Sequence, residues 1–167
     1  MTAPLLVLLA LAAAIAQIGL VPGAFAEPLA GPVLPVALLA GWTAMRRPKE
    51  AWPVPLVAAI VLGAVSEART GMFVLALLPA LGVATVARAG ERRGEATAIR
   101  RLGLAAAAGA IGALCYVAVL SVAAGTEATL TRALPALLVG ATWTALLATV
   151  LAGAMWRVRT DSGGLFA

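Results

Sequence analysis

Histidine is absent from this chain of 167 residues, and cysteine occurs once, at Cys115. A metal site built from histidine and cysteine is therefore excluded, and so is an intramolecular disulfide. Cys115 lies within an apolar run, where a single cysteine is typical of a small core residue. Catalysis needs converging carboxylates, histidines or thiols, whereas the acidic residues here lie only in loops or at the ends of apolar runs. We therefore expect no enzymatic activity, no bound metal and no organic cofactor.

Charged residues are also scarce. They make up 11% of the chain, against 63% hydrophobic residues and a mean hydropathy of +1.04. About a quarter of the residues in an ordinary globular domain are charged, so this chain has too little polar side chain to cover a soluble domain. Because the bilayer core offers no water to free backbone groups, spanning segments fold as helices. The sequence predicts one all-α domain, residues 1–167, that is integral to a membrane.

Six apolar runs separated by short polar segments predict six transmembrane helices. The clearest pair flanks the polar string 67–71, a pattern that predicts a helical hairpin. The third run is short for a hydrocarbon core of about 30 Å, so either its helix is expected to continue through Glu67 and Arg69 or the bilayer is expected to thin there. The second run is expected to be irregular at its start and regular after Pro35, because prolines free backbone groups. The predicted spans are residues 3–20, 29–45, 51–69, 70–88, 102–124 and 134–156.

The first run has the alternative interpretation of a signal peptide. Ala24-Phe25-Ala26, before Glu27, resembles the small-residue pattern of a cleavage site. The segment that precedes the run has no lysine or arginine, however, and signal peptides carry one there. The sequence therefore favours a membrane helix.

The basic residues predict the orientation of the chain. Of twelve lysines and arginines, only Arg69 and Arg132 fall in the loops after the odd-numbered runs, which leaves ten on the other side. Both termini are therefore expected in the cytoplasm. Cations in short loops are typical of contact with anionic lipid, so the net charge of +5 does not indicate nucleic acid. Trp42 and Trp52 flank the basic loop 46–50 and are expected at the headgroup level. The ten cations are Arg46, Arg47, Lys49, Arg88, Arg92, Arg93, Arg100, Arg101, Arg157 and Arg159.

Small residues recur at helical spacing in three of the runs. Such stripes let helix backbones approach closely, which drives association within a membrane. The favoured interpretation is packing inside the six-helix bundle, and the alternative is a docking face for another membrane protein. The stripes are Ala59 and Gly63 in the third run; Ala105, Gly109 and Ala113 in the fifth; and Gly140, Thr144, Ala148 and Ala152 in the sixth.

The third run supplies a specific partner-binding hypothesis. Ala59, Gly63 and Glu67 are spaced by four, so a continuous helix would place them on one face. That face would carry the small residues Ala59 and Gly63, with the carboxylate of Glu67 at its outer end. Glu67 would accept a hydrogen bond from a closely packed partner helix. The alternative is that Glu67 is an exposed loop carboxylate among the headgroups.

A series of short motifs runs through the chain in a distinctive order. They are Ala16-Gln17, Pro35, Gly41-Trp42, Arg46-Arg47-Pro48, Gly63-Ala64-Val65-Ser66-Glu67, Gly71 and Val74-Leu75-Ala76-Leu77. Together they resemble the rod shape-determining protein MreD family of bacteria, over nearly the whole chain. The sequence departs from the family's pattern where Glu67 replaces an aspartate and where the turn to Gly71 is shorter.

The resemblance implies a non-enzymatic scaffold in the inner membrane, within the machinery that regulates peptidoglycan synthesis and cell shape. The partner it implies is an MreC-like bitopic membrane protein. The glycosyltransferase RodA, a penicillin-binding transpeptidase and MreB filaments belong to the same assembly.

The resemblance also implies an alternative, because the family fold is similar to the six-helix S component of energy-coupling-factor transporters. On that alternative the chain would bind a vitamin-type small molecule. Such a binder should place polar or aromatic side chains in the outward loops. These loops hold few of them, and Phe25 is their one aromatic residue, so the sequence favours the scaffold.

Overall fold

The computed structural model describes residues 2–25, 27–46, 48–66, 70–89, 98–126 and 133–161, and these are almost entirely helical, without a strand. Two short 3₁₀ helices, Pro28–Ala30 and Pro48–Ala51, interrupt the series of α-helices. The seven α-helices of the described residues are α1 (Thr2–Gly19), α2 (Val21–Ala24), α3 (Leu34–Met45), α4 (Pro53–Val65), α5 (Thr70–Ala89), α6 (Ala98–Ala123) and α7 (Leu134–Asp161).

Helix α3 lies at the centre of the bundle. Every residue from Pro35 to Met45 is buried, as expected for a helix that is apolar on all sides. It packs against α1, α4, α5, α6 and α7. The outer helices contact one another in the order α1, α4, α5, α6, α7, and so form an arc around it. The predicted hairpin is therefore present as the packed pair α4 and α5, but it lies on the outside of the bundle.

Most predicted helix boundaries agree with the structure. The second run is irregular until Leu34, where α3 begins with Pro35 in its first turn, as predicted. A proline is tolerated there because the first backbone N–H groups of a helix have no partner within the helix. Helix α6 begins at Ala98, so residues 98–101 form its first turn, four residues before the predicted start of the fifth span.

The predicted extension of the third span is wrong. Helix α4 ends at Val65, and Ser66 has an extended backbone with φ −99° and ψ 149°. At about 1.5 Å per residue its 13 residues reach only about 20 Å. The chain returns directly over the end of α4: a Cβ on Gly63 would lie 2.9 Å from the Cα of Thr70, the first residue of α5. This close return ends the helix early.

Two helices are long and apolar enough to cross a membrane. They are Ala98–Ala123 and Leu134–Arg157, and 33% of the most apolar window of each is buried in the bundle. Shorter apolar helices run over Pro4–Gly19, Leu34–Met45 and Thr70–Val86. The outward faces of the bundle carry large apolar side chains, among them Leu8, Ile60, Val86, Leu146 and Val150. An exterior of this kind favours an apolar solvent.

The small-residue stripes of α6 and α7 pack inside the bundle, which confirms the favoured interpretation and contradicts the docking alternative. Seven of the residues concerned are buried: Ala105, Gly109, Ala113, Gly140, Thr144, Ala148 and Ala152. A Cβ on Gly109 would lie 3.1 Å from the Cβ of Ala148, and one on Gly41 would lie 3.0 Å from the Ala148 carbonyl oxygen. The small side chains thus let α3, α6 and α7 meet almost backbone to backbone.

Candidate functional site: a cavity at the α1–α7 end of the bundle

A cavity of about 290 Å³ lies where α1 ends and α7 begins. The connection from α1 to α3 closes one side, and the C-terminal half of α6 closes another. Most of the lining is apolar, and none of the described residues that line it is charged. Its polar lining residues are Gln17, Tyr116, Ser121 and Thr126, and its larger apolar ones are Leu29, Val33, Val117, Leu120 and Leu137.

Two hydrogen bonds, one buried and one part-buried, fix the start of α3 beside the cavity. The Val33 backbone N–H donates to the Thr144 Oγ1 atom of α7 at 3.0 Å, and that hydroxyl donates to the Gly140 carbonyl at 2.7 Å. The Leu34 backbone N–H donates to the Gln17 Oε1 atom at 2.7 Å. The N-cap position of α3, Val33, has no capping side chain of its own. Gln17 and Thr144, from two other helices, therefore provide the partners that the start of α3 lacks.

The connection between α1 and α3 lies directly on α7. A Cβ on Gly140 would lie 2.5 Å from the Leu29 carbonyl oxygen and 2.8 Å from that of Gly31. Only a glycine permits this approach without displacing backbone. The Phe25 and Trp143 rings meet edge to face, with centroids 6.3 Å apart. These contacts hold one wall of the cavity against α7.

Tyr116 is the polar side chain that the cavity leaves without a partner. It is 7% exposed, and within the described residues its hydroxyl makes no hydrogen bond. Gln17 presents a second free donor. Its oxygen is held by the Leu34 N–H, which can only donate, so the amide Nε2 group remains available. Buried polar groups are normally hydrogen-bonded, so an unpartnered tyrosine at a cavity wall indicates room for a hydrogen-bonding molecule.

The opposite end of the bundle is basic. The guanidinium of Arg101 lies over the Trp156 ring, with its carbon 5.7 Å from the ring centroid. Such cation–π contacts stabilise exposed sites by about 0.5–1 kcal/mol. Trp52 is 48% exposed, which is compatible with a headgroup position, whereas Trp42 is 5% exposed. Trp42 is buried within the bundle from α3 and therefore does not face lipid, while its position at the headgroup level stays a prediction.

Two of the residues predicted for partner binding, Ala59 and Gly63, belong to the described residues, and they do not form a free surface. Ala59 is fully buried within the chain's own core, so a partner helix cannot reach its side chain in this conformation. Gly63 is half-buried and faces Thr70. Glu67 lies outside the described residues, as does Arg69. Because α4 ends at Val65 and Ser66 is extended, the helical face that carries Ala59 and Gly63 does not continue past Val65.

Sequence reasoning missed the cavity residues. Gln17 was named only as part of a motif, and no role was predicted for Tyr116, the one tyrosine of the chain. A polar residue inside an otherwise apolar span is the available signal, because a bilayer tolerates it only where it faces protein or a cavity. Among the described residues no group of three or more metal-binding side chains occurs.

The chain matches no family model, no curated protein and no solved structure. Its function must therefore be inferred from the residues themselves and from the geometry of the bundle.

Proposed function

We propose that the chain is a six-span protein of the bacterial cytoplasmic membrane and a non-catalytic scaffold subunit of the cell-elongation machinery. The motifs that resemble the MreD family support this role. So does the architecture: a central apolar helix, an arc of outer helices packed through small residues, and an apolar exterior. Such a bundle is suited to holding other membrane proteins by helix contacts.

The observation that carries the membrane proposal is the separation of charge along the bundle. The described cations Arg46, Lys49, Arg100, Arg101 and Arg157 lie at the end opposite the cavity, and the spans between them carry none. This arrangement favours a cytoplasmic position for the basic end. The cavity would then open on the outer side.

Cysteine labelling tests this orientation. In a Cys115→Ala background, we expect Thr126→Cys to react with a membrane-impermeant maleimide on intact cells, because Thr126 is exposed at the cavity end. Lys49→Cys and Arg100→Cys, both exposed at the basic end, should react only after the membrane is permeabilised. Labelling of Lys49→Cys and Arg100→Cys from outside, with Thr126→Cys protected, would reverse the proposed topology.

Co-purification tests the scaffold role. We expect the wild-type chain to capture an MreC-like bitopic protein in detergent. Glu67→Ala should weaken the capture about fivefold, which corresponds to one membrane hydrogen bond of about 1 kcal/mol. Glu27→Ala is the matched control, because Glu27 is an exposed acidic residue and, like Glu67, belongs to an outer loop by the proposed topology. If the wild-type chain captures no such partner, the scaffold role is wrong; if both variants bind equally well, only the role of Glu67 is wrong.

Gly63→Leu separates packing from partner binding in the same assay. Because Gly63 faces the backbone of Thr70, the leucine should lower the thermal stability of the isolated protein. If stability is unchanged and capture is lost, Gly63 lies on the partner surface and the contact with α5 is dispensable.

The cavity favours a second candidate function, that of a small-molecule-binding subunit of a membrane transporter. Four polar residues belong to the lining of this cavity, which lies near the outer end of the bundle by the proposed topology. A transporter subunit would hold its substrate in such a cavity. A stoichiometric vitamin-like molecule, identified by mass spectrometry in the purified protein, would replace the scaffold role with this one.

A further inference from the structure

We propose that the cavity is a binding site for a small, uncharged molecule with a mainly apolar body and one hydrogen-bond acceptor, held by the Tyr116 hydroxyl and the Gln17 amide. The inference rests on the geometry of the cavity. It therefore stands independently of whether the chain acts as a scaffold or as a transporter subunit.

The volume sets the size of the ligand. Pockets that hold small molecules begin at about 300 Å³, and an apolar cavity of about 150 Å³ inside a protein accommodates benzene. At about 290 Å³ the cavity has room for roughly two such rings, or about a dozen non-hydrogen atoms.

The absence of charge in the lining sets the charge of the ligand. The cavity wall provides aliphatic side chains, an amide, a phenol and two hydroxyls, and none of them is ionised at neutral pH. An ion placed here would lose part of its hydration, and no side chain of the described lining offers it an opposite charge. A neutral ligand meets no such penalty.

The unpartnered donors set the polar group of the ligand. Tyr116 is 7% exposed as a whole residue, and its hydroxyl makes no hydrogen bond within the described residues. The Gln17 Nε2 group can only donate, because its oxygen is already bonded to Leu34. The Ser121 hydroxyl donates to the Val117 carbonyl, so it does not compete for the same acceptor. The cavity lining therefore offers a carbonyl or ether oxygen one donor on α6 and another on α1.

Benzophenone is a suitable probe, because it is neutral, has two rings and one carbonyl, and cross-links to nearby C–H groups under near-ultraviolet light. The full chain, purified in detergent, is irradiated with benzophenone and digested, and the labelled peptides are mapped by mass spectrometry. We expect saturable labelling within residues 113–124 and 137–141. The anionic analogue 4-benzoylbenzoate should label these peptides at least tenfold less, since it brings a charge into an uncharged cavity.

Three variants of α6 locate the labelling. Tyr116→Phe should raise the benzophenone concentration that gives half-maximal labelling about fivefold, as expected for the loss of one hydrogen bond. Val117→Trp, which fills the cavity from its wall, should abolish the labelling of 137–141. Leu114→Trp places the same ring on the exposed side of α6, where Leu114 is 38% exposed, and should leave labelling unchanged.

Equal labelling of the wild type and all three variants would overturn the proposal, as would labels confined to the exposed faces of α1 and α7. Equal labelling by the anionic analogue would overturn the neutral class of ligand. Tyr116→Phe keeps the buried aromatic ring, so this variant still tests the proposal if Val117→Trp fails to fold.

Discussion

Replacing Gly112 by alanine is expected to lower the melting temperature of the detergent-solubilised protein sharply. A Cβ at this position would lie 2.6 Å from the Cβ of Ala80 on α5 and 2.8 Å from the Cγ1 of Val36 on α3. Alanine has no rotamer through which to move away, and the Ala80 Cα lies only 3.2 Å off, so α5 and α6 must separate. Overpacking of this kind typically costs about 1–3 kcal/mol of unfolding free energy. Thermal unfolding followed by circular dichroism measures the effect.

The matched control is Gly103→Ala, on the same helix. No atom lies within 4 Å of a Cβ built at Gly103, and this residue is exposed. Because alanine favours a helix over glycine by about 1 kcal/mol, this variant should melt at the wild-type temperature or above it. If the two variants have the same melting temperature, the helices α3, α5 and α6 do not meet as closely at Gly112 as the structure places them.

The order of apolar runs was enough to predict the helices, but not which helix is central. Hydropathy does not single out α3, because α1 and α4 are at least as apolar, and Pro32 and Pro35 predict an irregular start for this segment. The structure nevertheless buries it from Pro35 to Met45, because small residues such as Gly41 let α7 approach. Trp42 illustrates the same limit. A tryptophan beside a basic loop is typical of a headgroup anchor, yet the side of the helix on which it lies depends on contacts between distant residues.

The cavity could not be predicted for a related reason. Its walls come from four separate segments, and its volume depends on how far the 28–33 connection stands from α6. Helical periodicity reports the face of a single helix, and it does not report the gaps that remain where helix ends meet. The end of α4 escaped prediction because the return of Thr70 over Gly63 is a tertiary contact that overrides the local helical pattern.

The connection that closes the cavity also gives the second large expected effect, that of Gly140→Ala. The added methyl group would meet two backbone carbonyl oxygens, those of Leu29 at 2.5 Å and Gly31 at 2.8 Å. Backbone atoms cannot rotate aside, so the connection must lift from α7. The lift would strain the bond between the Val33 N–H and Thr144, and leaving that buried donor unsatisfied costs about a further 1–3 kcal/mol. We therefore expect a fall in melting temperature at least as large as that of Gly112→Ala.

Gly153→Ala is the control for this variant, because Gly153 lies on the same helix and the nearest atom to its Cβ position, the Leu102 Cδ2, is 3.9 Å away. That distance is an ordinary van der Waals contact, so this variant should keep the wild-type melting temperature. Thr144→Val separates the two contributions: it removes the acceptor for the Val33 N–H but adds no bulk beside Leu29 or Gly31. If Gly140→Ala melts no lower than Gly153→Ala, then the connection does not rest on α7. If Thr144→Val accounts for the whole loss, the hydrogen bond and not the close backbone approach holds the cavity wall in place.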